Sequence, residues 1–130
     1  MKEPNWLTHK LIFSIHEALL ARFGGIEGIR DEGMLEAAVG RPQNLLAYGN
    51  PSIHDLAAHY AEGIVKNHPF LDGNKRTGFM AAYVFLGING YQLSAPEEEA
   101  VLQTLALAGG ELDAPGFSTW LSKNSEERTG

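Results

Sequence analysis

The 130-residue chain contains no cysteine, which excludes disulfides and thiolate metal sites and leaves stability to the packing of its 44% hydrophobic residues. A cytoplasmic protein fits that composition best. Basic residues are scarce, ten Lys and Arg against sixteen Asp and Glu, and the net charge of -6 argues against nucleic acid as a partner. No run approaches the roughly eighteen apolar residues that span a bilayer, and Met1 to Trp6 lacks the apolar stretch of a signal peptide, so no membrane partner is expected. His-Glu-x-x-His is absent, which leaves a zinc site without a ligand set. A Walker A loop is excluded because Gly73 is followed by Asn74 rather than Lys, and because the segment before it has a helical period. No repeat or linker breaks the chain, and its length suits one domain that buries about two-thirds of its unfolded surface.

Helical periodicity is what remains. Leu7, Leu11, Ile15 and Leu19 define a first helix over 7–23, stopped by Gly24-Gly25. A second opens at Asp31, buries Leu35, Ala38 and Val39, and is expected to end before Arg41-Pro42. Residues 43–51 have no evident helical period and contain Gly49-Asn50-Pro51, which predicts a loop or small hairpin. Ser52 and Asp55 precede a third periodic stretch, which ends before Pro69. Residues 74–86 are apolar almost all round after the first turn, which predicts the central buried helix. Ser94 with Glu97 reads as a capping box for a fifth helix to Ala108, with Glu97-Glu98-Glu99 marking its start. A short last helix buries Phe117, Trp120 and Leu121. The expectation is an all-α, single-domain bundle of about six helices over 1–121, with 122–130 a disordered polar tail.

Chemistry concentrates in His68-Pro69-Phe70-Leu71-Asp72-Gly73-Asn74-Lys75-Arg76-Thr77, a loop that leads into a helix N-terminus. The unpaired amides and dipole of such a terminus favour an anion, and a phosphate is the natural ligand. Lys75 and Arg76 would add charge-assisted bonds to phosphate oxygens, and Gly73 permits close backbone approach. Asp72 suits a metal ion that bridges two phosphates. His68, of a type with unperturbed pKa about 6.5, is the side chain suited to take a hydroxyl proton at neutral pH. Transfer from a magnesium nucleotide to a hydroxyl is the chemistry these parts suggest. Asp72 and Asn74 also carry the plainer reading of helix caps. His9, His16, His54 and His59 are read as structural.

At these residues the chain resembles the Fic/Doc superfamily, whose adenylylating Fic members carry His-Pro-Phe-x-x-Gly-Asn-Gly-Arg-x-x-Arg. Here Lys75 stands at the second Gly of that pattern and Phe79 at its last Arg, as in the Doc (death-on-curing) toxin branch. Phe23-Gly24-Gly25 and the run from Gly28 to Leu35 look like the early Doc signature. The resemblance implies a six-helix Fic-type fold and the toxin of a toxin-antitoxin pair. Its activity would be kinase-like transfer of the terminal phosphate of ATP, with Mg2+, to a Thr or Ser of a translation protein, elongation factor Tu being the expected target. It further implies His68 as general base, Asp72 as metal ligand, Gly73, Asn74, Lys75 and Arg76 as phosphate cradle, and Leu45, Leu46, Ala47, Tyr48 and Gly49 as a flap for the target. Fic-type adenylyl transfer (AMPylation) and a catalytically idle binding module are the rival readings. A small antitoxin whose C-terminal segment folds on binding would restrain the enzyme. It would lie in a groove lined by Leu7, Leu11 and Ile15 or by Trp120 and Leu121.

Overall fold

The computed structural model describes residues 2–128, which form six α-helices and one two-stranded ribbon. The helices are α1 (His9–Phe23), α2 (Glu32–Tyr48), α3 (Ile53–Asn67), α4 (Asn74–Ile88), α5 (Glu97–Gly109) and α6 (Ala114–Lys123). The strands are β1 (Tyr91–Leu93) and β2 (Ser125–Glu127), paired antiparallel with Gln92 opposite Glu126. The architecture is the all-α bundle that the periodicity predicts.

Most helix starts follow local chemistry. Thr8, Asp31 and Asp113 accept backbone N–H bonds from Leu11, Met34 and Gly116, and Ser52 with Asp55 closes a reciprocal capping box on α3. The first helix therefore begins at His9 rather than Leu7. Leu7 is nevertheless fully buried, its N–H donated to the Tyr60 hydroxyl at 3.1 Å. Burial pushes that phenol up to about 12, so it stays neutral. At α5 the capping box fails: the N-cap is Pro96, and Ser94 donates its N–H to Asn124 O at 2.7 Å in the ribbon.

The second helix does not stop at Pro42, and the expected loop or hairpin over 43–51 is helical as far as Tyr48. An internal proline forfeits one backbone bond and crowds the preceding turn, at a cost of about 3 kcal/mol. Against this, Leu35, Ala38 and Pro42 are buried and Leu45 and Leu46 pack on the core, an apolar stripe that continues through the proline at helical spacing.

The centre of the bundle is α3, packed against α2, α4, α5 and α6, rather than the apolar α4, which leaves Tyr83 and Ile88 exposed. Small residues make this possible. A Cβ at Gly63 would lie 3.1 Å from Ala38 Cβ of α2, and one at Gly78 of α4 would lie 2.4 Å from Val65 Cγ1 and 3.1 Å from Ala61 O. The helices thus meet nearly backbone to backbone. Glu62 of α3 is buried but paired with Arg41 of α2 at 2.5 Å.

The polar run from Ser122 is not a loose tail through its described part. It finishes α6 and then pairs with β1, while Thr129 and Gly130 lie outside the described residues. Leu7, Ile15, Trp120 and Leu121 are core and Leu11 is half-buried, so the groove they were expected to line is filled by their own packing.

Candidate active site

The loop between α3 and α4 is held from both sides. His68 is the C-cap of α3 at φ 49° and ψ 60°, the one non-glycine residue at positive φ among the described residues. A left-handed conformation costs a residue with a Cβ about 1–2 kcal/mol, so the surroundings must impose it. Arg30 does so: its Nε donates to His68 O at 2.6 Å and its Nη2 to Asn67 O at 2.7 Å. The guanidinium thereby satisfies the last carbonyls of α3 and sits at the negative end of its dipole. The backbone N–H groups of Arg30 and Asp31 both donate to Pro69 O, and Ile29 bridges to Phe70 in antiparallel fashion. The segment before α2 is thus the loop's outer brace.

The imidazole of His68 is exposed. Its Nδ1 lies 3.2 Å from Lys66 O. A carbonyl only accepts, so Nδ1 carries a proton in this contact, and in the neutral imidazole Nε2 is then the nitrogen with the lone pair. That is the tautomer a general base requires.

Phe70 is fully buried and Asn74 is 7% exposed. The Asn74 carboxamide clips the loop, accepting the Phe70 N–H at 3.0 Å and donating to Phe70 O at 2.9 Å. Its side chain is therefore committed to the loop, and only its backbone N–H is left for a phosphate. Gly73, at φ 76° and ψ 19°, is the N-cap of α4, and no side chain caps that helix. The amides of the first turn then face outward unpaired, an anion site in the making. Exposed Lys75 and Arg76 follow at once, with the Arg76 guanidinium 4.4 Å from the Phe23 ring centroid.

Asp72 is exposed, yet both carboxylate oxygens are used: Oδ1 accepts the Gly73 N–H at 2.9 Å and Oδ2 the Ile26 N–H at 3.1 Å. Each oxygen keeps a further lone pair. His68, Asp72, Gly73, Lys75 and Arg76 share one cavity of about 620 Å³, whose other walls, from α1, α4 and α5, are mostly apolar but include Glu97 and Thr104. Leu45 to Tyr48 do not join this cavity. They form the last turn of α2 and Gly49 is its extended C-cap, so the segment expected as a flap, Leu45 to Gly49, is helical through Tyr48 rather than an extended strand.

Two supports of the loop lie outside its own sequence: Arg30, in the segment before α2, and His16 of α1, whose burial agrees with its reading as structural. Buried His16 lies flat on Phe70, centroids 3.8 Å apart and planes 8° apart, with Nε2 2.8 Å from Asp72 O.

Residues 6–86 match the Fic/DOC family. The chain belongs to the Fic/DOC family. It is 49% identical over 76 residues to "Toxin Doc" of Mycolicibacterium smegmatis, a match covering 56% of this chain and 58% of that protein. It is 34% identical over 113 residues to "Protein kinase doc" of Escherichia phage P1, covering 86% of this chain and 89% of the phage protein. The chain thus spans little more than half of the first relative and nearly nine-tenths of the second. Among the described residues no helix is long and apolar enough to cross a membrane.

Proposed function

We propose that this Fic/DOC protein is a toxin that moves the terminal phosphate of a nucleoside triphosphate, ATP being the expected one, to a Thr or Ser hydroxyl of a translation protein. The observation that carries this reading is the uncapped N-terminus of α4 beside Lys75, Arg76 and the free Nε2 of His68, all opening on one cavity. The names of the two relatives, a toxin and a protein kinase, support it. The triphosphate would lie along the amides that follow Gly73, with Lys75 and Arg76 on its oxygens. His68 Nε2 takes the hydroxyl proton as the oxygen bonds to the terminal phosphorus. The bond from that phosphorus to the bridging oxygen breaks, and the nucleoside diphosphate departs with the electron pair.

No group of three or more His, Cys, Asp or Glu able to hold a metal occurs among the described residues, so a protein-caged ion does not fit. A single exposed carboxylate does suit magnesium, which takes most of its ligands from phosphates and water. Asp72 would hold it, and when bound it would supply charge neutralisation between phosphates. Elongation factor Tu is the target to try first.

The toxin reading also calls for an antitoxin whose C-terminal segment folds on this chain. With the earlier groove filled, exposed Val101, Leu102 and Leu105 on α5 are the apolar surface beside the cavity that such a segment could cover.

The deciding experiment incubates the protein and purified elongation factor Tu with ATP labelled on the terminal or the innermost phosphate. Terminal label on the target supports phosphotransfer. Innermost label would instead make the protein an adenylyltransferase, and no label with no magnesium-dependent nucleotide binding would leave a binding module.

A further inference from the structure

We infer that His16, on the neighbouring helix α1, is the positioning residue that fixes the peptide between Asp72 and Gly73 and so aims the phosphate-facing amides of α4. The inference rests on the phosphate-cradle reading above. His16 is 1% exposed on a helix whose outer face is solvated, and its ring does two things at once. One face covers the ring of buried Phe70, whose backbone N–H and C=O are held by the Asn74 carboxamide. Its Nε2 donates to Asp72 O at 2.8 Å, since a carbonyl can only accept.

The geometry of that peptide makes the bond consequential. Its carbonyl is held by His16 and its N–H, on Gly73, is held by Asp72 Oδ1 at 2.9 Å, so both ends of one rigid plane are fixed. The next dihedral is the left-handed φ of 76° at Gly73, and the first amides of α4 take their direction from it. A Cβ at Gly73 would lie 3.7 Å from His16 Nε2, which places the imidazole directly against this turn. Packing alone would be served by any flat apolar ring. A donor at this position is needed only to hold the plane.

Two variants separate those roles. His16→Phe keeps a flat ring against Phe70 and loses the donor, whereas His16→Gln carries an Nε2 donor the same number of bonds from the backbone and loses the ring. The full-length protein is measured in two ways: amide hydrogen exchange at Gly73 and Phe70 without ligand, and titration with magnesium ATP. For His16→Phe we expect exchange at Gly73 to rise and ATP affinity to fall by roughly tenfold each, about the worth of one lost hydrogen bond. Exchange in the middle of α3 should stay unchanged, and His16→Gln should recover most of the affinity. The inference is overturned if His16→Phe binds and exchanges like wild type, if only exchange changes, or if His16→Gln binds no better than His16→Phe. Should wild type bind no nucleotide, the phosphate reading falls on its own, while exchange at Gly73 still decides whether His16 holds the peptide.

Discussion

At the scale of single residues, the site divides into groups that would touch substrate and groups that hold them. His68 is exposed and contributes little packing, so His68→Ala should fold normally yet lose target modification by a factor of about 100 to 10,000, the usual worth of a general base. Wild-type rates from a folded His68→Ala protein would remove it from the mechanism. Asp72→Asn is a compound change. The amide is a poor ligand for a hard cation, and one of its two ends would set an N–H against the Ile26 or the Gly73 amide. Magnesium dependence of ATP binding should therefore weaken, and stability should drop by about 1 kcal/mol. If magnesium titrations of the two proteins overlay while stability falls, Asp72 is only a clamp. The groups proposed to meet substrate are legible because they are nearly contiguous: His68, Asp72, Gly73, Lys75 and Arg76 need no tertiary contact to be seen together. Their supports are not, since His16 acts 56 positions from Asp72 and Arg30 acts 38 positions from His68. Asn74 shows the converse limit: its residue type fitted a phosphate ligand, a cap and a loop clip, and only the Phe70 contacts single out the clip.

At the scale of elements, the starts of α2 and α3 are legible because a side chain reaches the backbone three residues on, at Asp31 and Ser52, whereas the equivalent Thr8 at α1 is hidden by the apolar Leu7 before it. Such local signals mislead where a distant partner intervenes. Ser94 had the sequence of a cap but is drawn into the ribbon by Asn124, and Pro42 had the look of a stop but is carried through by burial on α3. The same close packing that overrode local rules sets a sharp prediction at Gly78. Alanine there gains about 1 kcal/mol in helix propensity over glycine. Its Cβ would, however, lie 2.4 Å from Val65 Cγ1 and 3.1 Å from Ala61 O. Valine is stiff about χ1 and a carbonyl within a helix cannot turn away, so overpacking of about 1–3 kcal/mol should win. Gly78→Ala is expected to be less stable by up to about 2 kcal/mol in urea unfolding. A more stable Gly78→Ala would show that α3 and α4 separate without strain.

At the scale of the whole molecule, the end of α3 opposite the His68–Gly73 loop joins α6 and the ribbon through groups that titrate. His54 is half-buried, with Nε2 2.7 Å from Ser125 Oγ and its ring edge-on to Tyr91. Burial holds its imidazole below the usual 6.5, against the raising influence of neighbouring Asp55. Burial works to raise the Asp55 carboxyl, but hydrogen bonds from Ser118 and Ser52 and the charge of His59 outweigh it and leave it below the usual 3.8. Both shifts have the same consequence for stability. Below pH 6.5 the unfolded chain binds a proton at residue 54 that the folded chain resists, so the stability from neutral His54 is full above 6.5 and declines as pH falls. Below pH 3.8 the unfolded chain likewise protonates Asp55 before the folded one does, and the α3 cap with its link to α6 weakens next. The melting temperature should therefore fall as the medium is taken from pH 7.5 to 5, roughly the range in which an ordinary histidine titrates. His54→Phe keeps an aromatic ring against Tyr91, loses the Ser125 bond and cannot be protonated. It should melt lower than wild type at pH 7.5 and show a shallower decline towards pH 5. Parallel melting curves for the two proteins across that range would mean that the junction of α3 with the ribbon is indifferent to the protonation of His54.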